Sequence, residues 1–73
     1  MDEFKPRAKN QVFGVRQGQY TTYVCDLGRE VKSWEDYRYS LSQKRGNKPI
    51  GNRRGSNNLE EAKQMARDSV KGK

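Results

Sequence analysis

Histidine is absent from this 73-residue sequence, and cysteine occurs once, as Cys25. Histidine is the commonest general base and the commonest metal ligand, so its absence removes most acid–base and zinc sites. A single cysteine forms no internal disulfide, and it lacks the histidine that would activate it as a nucleophile. Glu35–Asp36 and Glu60–Glu61 are carboxylate pairs, but neighbours in sequence do not face each other on a helix, so neither pair has the spacing of an acid–base dyad. No phosphate-binding glycine motif occurs. We therefore expect a non-enzymatic protein with no metal site, no cofactor and no small-molecule substrate.

Apolar residues are also scarce, at 30% of the chain against 34% charged residues. No apolar run approaches the ~20 residues that are needed to span a bilayer. Met1–Asn10 is polar and charged, so it does not have the apolar segment of a signal peptide. Because a disulfide framework is missing as well, we expect a monomeric protein of the cytoplasm that does not bind membranes.

Two runs rich in β-branched and aromatic residues predict a β-hairpin. They are Val12–Val15 and Tyr20–Cys25, and the connection between them contains Gly18. Gly14 lies inside the first run, where a glycine indicates a bulge or a close approach by another group.

The segment after the hairpin is harder to interpret. Asp26–Arg29 predicts a turn, and Glu30–Lys32 then predicts a short third strand. Ser33–Gln43 is consistent with a helix that Ser33 would cap, or with a strand whose aromatic residues alternate. We favour the strand for Tyr37–Gln43.

Asn58–Lys71 has the pattern of an amphipathic helix. Asn58 is a favourable N-cap, Glu61 follows three residues later as in a capping box, and Gly72 is a natural stop. The helical spacing places five apolar residues on one face, namely Leu59, Ala62, Met65, Ala66 and Val70. This face is expected to pack closely against the sheet.

These elements predict a small α+β fold. We expect a two- or three-stranded antiparallel sheet over about 11–43, with one C-terminal helix over about 58–71 packed on it. Residues 11–73 would form a single small domain.

Two segments are expected to lack regular structure. Residues 1–10 hold several basic residues and little apolar content, so they predict a disordered basic arm. Residues 44–57 have Gly, Pro, Asn or Ser at nearly every second position, which predicts a basic loop.

Positive charge is segregated along the chain, which has a net charge of +7. No acidic residue occurs between Glu3 and Asp26, or between Asp36 and Glu60. The candidate binding residues in these intervals are Arg38, Lys44, Arg45, Lys48, Arg53 and Arg54, assisted by Lys5, Arg7, Lys9 and Arg16. Such clusters of cations neutralise phosphates or bind a negatively charged protein surface.

Aromatic side chains near the basic segments have two interpretations, because they can stack on unpaired bases or supply the core. We expect Trp34 and Tyr23 to be core residues, since the chain has few other large apolar side chains. Tyr39 is the aromatic candidate for the binding surface.

One resemblance lies in short motifs. Val12–Gly18, the following Tyr20–Thr22 and the later Leu59–Ala62 resemble the hybrid-binding domain at the N-terminus of some ribonucleases H. That family begins with an aromatic–x–Val–Arg-type strand, continues into a Tyr-x-Thr segment and closes with a Glu-Glu-Ala helix. The family's middle helix has no counterpart here, and 44–57 looks like an insertion. The resemblance implies an independent DNA- or RNA-binding module, in hybrid binding or as an accessory recombination protein.

A second resemblance lies in size, charge and layout. The chain is similar to the small basic transcription regulators that lytic bacteriophages make to bind host RNA polymerase, some of which block initiation and some of which suppress termination. A polymerase surface beside its nucleic-acid channels offers both acidic patches and phosphates. We therefore expect a regulator in the host cytoplasm that binds RNA polymerase or its nucleic acid, with the independent nucleic-acid-binding module as the alternative.

Overall fold

The protein folds as an antiparallel sheet with a helix packed on one face, in a computed structural model that describes residues 1–28 and 37–72. For residues 52–54, only the strand pairing is described. The elements are β1 (Asp2–Phe4), β2 (Gln11–Gln17), β3 (Tyr20–Asp26), β4 (Tyr39–Arg45), β5 (Lys48–Ser56) and α1 (Leu59–Val70). The five strands lie side by side in the order of the sequence. The α+β class predicted from the sequence is confirmed, with more strands than expected.

The core lies between α1 and the sheet face that it covers. Because side chains alternate along a strand, every second residue of β2, β3 and β4 points toward α1. The buried apolar side chains are Phe13, Val15, Val24, Tyr39, Leu41, Ala62, Ala66 and Val70. Ala62 and Ala66 are fully buried, and their small side chains allow the helix backbone to approach the sheet. The predicted apolar stripe of the helix is therefore confirmed.

The two ends of α1 follow the capping signals in the sequence. The side chain of Asn58 accepts a hydrogen bond from the backbone N–H of Glu61 at 3.1 Å. At the other end the N–H of Lys71 donates to the carbonyl of Asp68, and Gly72 follows with a φ of 80°. Glycine adopts this left-handed conformation without steric cost, so the helix stops here.

A chain of buried hydrogen bonds connects the sheet to α1. Gln43 Nε2 donates to Thr22 Oγ1 and to the carbonyl of Ser69, both at 3.2 Å. Ser69 Oγ donates to the carbonyl of Ala66, so the 2.6 Å contact between the two hydroxyls has Thr22 as its donor. Each polar group therefore has a partner, which removes the cost of burying it.

Two tight hairpin turns lie next to each other at one end of the sheet. Gly18–Gln19 connects β2 to β3, and Gly46–Asn47 connects β4 to β5. Gly18 and Gly46 have φ values of 62° and 58°, as expected when glycine takes the first position of a type II′ turn. The backbone N–H of Gly46 donates to the carbonyl of Gln19 at 2.7 Å, which ties the two turns together.

The predicted basic loop over 44–57 is wrong, because β5 occupies most of it. Gly46–Asn47 acts as a two-residue turn, and the polar segment after it pairs with β4 as an edge strand. Edge strands tolerate charged residues and proline, which explains Pro49. A Cβ atom on Gly55 would overlap the carbonyl of Tyr39, so the shifted register near this residue needs glycine.

The predicted disordered arm over 1–10 is also wrong in its first part. Asp2–Phe4 forms β1, which pairs with residues 14–16 of β2. The side chain of Glu3 forms a two-pronged ion pair with Arg67 of α1, with N–O distances of 2.8 and 3.1 Å. This contact between distant residues fixes β1 to the helix, and local composition does not reveal it.

The strand interpretation of Tyr37–Gln43 is confirmed by β4, which begins at Tyr39. The turn predicted at Asp26–Arg29 extends beyond the described residues; within them, the side chain of Asp26 accepts from the N–H of Gly28, which has a φ of 66°. The predicted third strand at Glu30–Lys32 and the role of Trp34 lie outside the described residues. Among the described residues, no helix has both the length and the apolar character required to cross a membrane.

Candidate functional site

The sheet face turned away from α1 carries an aromatic pair. We call it the open face, and the residues that define it are Phe4, Arg16, Thr21, Tyr23 and Lys44. The rings of Phe4 and Tyr23 meet edge to face, with centroids 5.9 Å apart and an angle of 87°. Phe4 lies above Gly14, where a Cβ atom would come within 2.6 Å of the phenyl ring. The close approach that Gly14 indicated in the sequence is therefore made by Phe4.

A depression of about 650 Å³ lies on the open face beside these rings. Its lining comes from all of β1 to β4 and from both hairpin turns. The residues that line it are Asp2, Phe4, Arg16, Gly18, Gln19, Thr21, Tyr23, Lys44, Gly46 and Asn47. The depression therefore combines aromatic rings, cations and amide side chains within one surface.

Two predicted cations line the depression. Arg16 extends from β2 and is exposed, and Lys44 extends from β4 and is half-buried. The ammonium of Lys44 lies 5.3 Å from the centroid of the Tyr23 ring, which places its charge against the aromatic face. Among the lining residues Asp2 is acidic, and it lies opposite Arg16 in the β1–β2 pairing.

Two further predicted cations lie at the same end of the sheet. Arg45 and Lys48 are opposite each other across the β4–β5 turn, and both are exposed. Arg45 donates to the side chain of Gln19 at 3.2 Å, and its guanidinium lies 5.8 Å from the Tyr20 ring centroid. The turn end of the sheet thus brings together Arg16, Lys44, Arg45 and Lys48.

Arg38 and the cations between β1 and β2 do not join this group. Arg38 lies at the opposite end, where it forms an ion pair with Asp26 at 3.2 Å. This hydrogen bond lowers the pKa of Asp26, aided by the N–H of Gly28, so the charge of Arg38 is already partly neutralised. Lys5, Arg7 and Lys9 are exposed in the connection from β1 to β2. Arg53 and Arg54 belong to β5, in register with Leu41 and Ser40.

Tyr39 is a core residue, so its prediction as a binding residue is wrong. Its side chain is 8% exposed and shares the covered face of β4 with Leu41. The guanidinium of Arg38 also lies 5.4 Å from its ring centroid. Tyr39 is therefore unable to stack on a base without leaving the core.

Tyr23 is the tyrosine that lies on the open face, beside Phe4. It was expected in the core, but it lies on the open face between Thr22 and Val24, which both face α1. The alternation in β3 gave a weak signal, because apolar and polar residues occur on both faces of this strand. Phe4 was missed because its contacts with Gly14 and Tyr23 depend on the placement of β1.

The outer side of α1 has a different charge pattern. It carries three carboxylates, Glu60, Glu61 and Asp68, and Glu60 forms an ion pair with Lys63 at 3.5 Å. Arg67 is occupied by Glu3. Among the described residues, the helix cations Lys63 and Arg67 are thus paired with carboxylates, whereas the four cations at the turn end of the sheet have no acidic partner at salt-bridge distance.

Within the described part of the chain, no cluster of side chains has the composition of a metal site. Burial raises the pKa of the Cys25 thiol, which disfavours the reactive thiolate.

Fold and site together define a small α+β domain whose open sheet face is basic and aromatic. Comparison of the chain with protein-family models, curated proteins and solved structures gave no match.

Proposed function

We propose that this protein binds nucleic acid through the open face of its sheet. The observation that carries the proposal is the presence of Arg16 and Lys44 beside the Phe4–Tyr23 pair in one depression. Cations neutralise phosphates and release counterions, and aromatic rings stack on bases. A surface that holds both groups offers contacts to both parts of a nucleotide.

The charge distribution supports this orientation. Arg45 and Lys48 add positive charge at the same end of the sheet, although strand alternation places them on the face of Tyr20 and Gln43 rather than on the open face. The carboxylates of α1 lie on the exposed side of the helix. A polyanion is attracted to the turn end of the sheet and repelled by the exposed side of the helix, so the sheet side approaches it first.

This geometry favours the independent DNA- or RNA-binding module, because the open face offers contacts to bases as well as to charge. Transcription regulation on host RNA polymerase, as predicted from size and charge, remains a proposal for the biological role. Capture of polymerase subunits from a nuclease-treated bacterial lysate would support that role, and binding that disappears with the nucleic acid would oppose it. In either case we propose a protein without catalytic activity.

A fluorescence anisotropy titration with labelled oligonucleotides tests the proposal. The variant Arg16→Gln/Lys44→Gln removes two charges from the open face, and the control Lys63→Gln/Lys71→Gln removes two from the helix side. We expect the first variant to weaken binding at least ~10-fold and the control to weaken it about 2-fold, because contact with phosphates is local.

Equal losses in the two double variants would contradict the proposal, since binding would then depend on net charge alone. Circular dichroism of each variant verifies that the fold is retained. All four positions are at the surface or half-buried, so their replacement leaves the core intact.

A further inference from the structure

The Phe4–Tyr23 pair forms a corner that fits one flat ring. Because the two ring planes meet at 87°, a planar group that stacks on one ring meets the other ring at its edge. Both rings line the depression of about 650 Å³. This volume lies within the ~300–1,000 Å³ that is typical of sites for small organic groups.

The groups around this corner match the remaining parts of a nucleotide. Gln19 and Asn47 line the depression, and amide side chains form hydrogen bonds with base edges. The side-chain oxygen of Gln19 already accepts from Arg45, so its NH₂ group is the part that is available to a base. Arg16 and Lys44 lie at its border with charges suited to a phosphate. The placement of β1 matters here, because the ion pair of Glu3 with Arg67 holds Phe4 at the corner.

An intact duplex offers this surface its phosphates but not the faces of its bases. Its bases are paired and stacked on each other, so their faces are closed to protein rings. Five strands at a spacing of about 4.8 Å make a sheet about 19 Å wide, whereas the major groove is about 12 Å wide and admits two strands. A single strand has free bases and a flexible backbone, and it can cross the strands of the sheet.

We infer that the depression binds an unpaired base, and that the ligand of this protein is single-stranded nucleic acid. The base stacks on Tyr23 beside Phe4. Lys44, whose ammonium lies 5.3 Å from the centroid of the Tyr23 ring in the unbound protein, moves from this ring to an adjacent phosphate, which Arg16 also contacts. This inference rests on the proposed function and adds to it the class of ligand.

The test compares three labelled probes of equal length: single-stranded oligothymidylate, a strand of the same backbone without bases, and a duplex. Oligouridylate serves as the RNA arm. The variant Tyr23→Leu removes the stacking ring, and Tyr23→Phe retains it as a matched control. Phe4→Leu provides a second variant at the other ring, on a strand outside the core.

We expect the wild-type protein to bind oligothymidylate more tightly than the base-free strand and the duplex. Tyr23→Leu should lower the affinity for oligothymidylate by about 5- to 150-fold, the range expected for loss of one stacked base. It should leave binding to the base-free strand unchanged, and Tyr23→Phe should bind like the wild type. Phe4→Leu should give a smaller loss with the same probe dependence.

Equal affinity of the wild type for all three probes, or equal affinities of Tyr23→Leu and Tyr23→Phe, would overturn the inference. The proposed function would survive that result if Arg16→Gln/Lys44→Gln still weakened binding. Absence of binding to every probe would overturn both.

Discussion

At the residue scale, Thr22 joins the sheet to the helix through its hydroxyl, which accepts from Gln43 and donates to Ser69. Thr22→Val keeps the shape of the side chain but leaves buried polar groups with fewer partners. We expect a loss of about 1–3 kcal/mol in the free energy of unfolding, measured by urea denaturation. Thr21→Val, at a buried position on the other face of the same strand and outside this hydrogen-bond chain, should cause a smaller loss. Equal losses would show that the hydrogen-bond chain has no special role in stability.

Tyr23 was expected in the core and Tyr39 at the surface, but Tyr23 lies on the open face and Tyr39 lies in the core. The sequence therefore did not predict which face of its strand each tyrosine occupies. Both residues were expected to lie in strands. Alternate residues of a strand point to opposite faces, so the face of each tyrosine depends on which of the two alternating sets of residues is buried. In β3 that set includes Thr22 as well as Val24, because Gln43 and Ser69 satisfy the threonine hydroxyl. A buried threonine has no apolar signature, so the wrong face was assigned to Tyr23.

At the scale of elements, α1 was predictable because its signals are local. Asn58, Glu61 and Gly72 mark the ends, and the apolar spacing marks the buried face. β1 and β5 were missed because both are edge strands, whose formation depends on pairing with a neighbour rather than on their own composition. The Gly46–Asn47 turn and the many polar residues after it were interpreted together as a loop.

The attachment of β1 to α1 should depend on pH. The hydrogen bond from Arg67 lowers the pKa of Glu3, so the charged carboxylate is favoured in the folded protein. Its contribution is therefore complete above the ordinary glutamate pKa, about 4.3, and is lost as the pH falls through the lowered value. We expect the protection factors of the β1 amides, which are the intrinsic exchange rates divided by the observed rates, to fall on acidification toward pH 3.

Glu3→Gln provides the comparison for this pH effect. It should exchange its β1 amides faster at neutral pH and show less additional change on acidification. Asp26 has a pKa lowered in the same direction by Arg38, so only the difference between wild type and Glu3→Gln reports on β1. Identical pH profiles for the two proteins would contradict the role of the ion pair.

At the scale of the whole molecule, positive charge is clustered in space as it is in the sequence, but the cations of one acid-free interval do not all lie on one surface. The acid-free interval around residues 44–48 became the turn end of the sheet, where Arg16 joins it from another strand. Arg38, from the same interval, lies at the opposite end of the sheet and forms an ion pair with Asp26 there. The acid-free intervals of the sequence therefore predicted that the surface would be positively charged, whereas the pairing of the strands determined which residues form it.

If this spatial arrangement controls binding, two variants with the same net charge should behave differently. Asp2→Asn removes a carboxylate from the depression, and Asp68→Asn removes one from the exposed side of α1. Each raises the net charge by one. At about 0.1 M salt, where the Debye length is about 10 Å, we expect Asp2→Asn to tighten binding of a single-stranded oligonucleotide by about 2- to 5-fold, because a negative charge near the phosphate is lost. Asp68→Asn should leave the affinity within about 1.5-fold, since its charge is screened at that distance.

Anisotropy titrations at several salt concentrations check both values, and the advantage of Asp2→Asn should shrink as salt increases. Equal tightening by the two variants would mean that overall charge, rather than the open face, determines affinity.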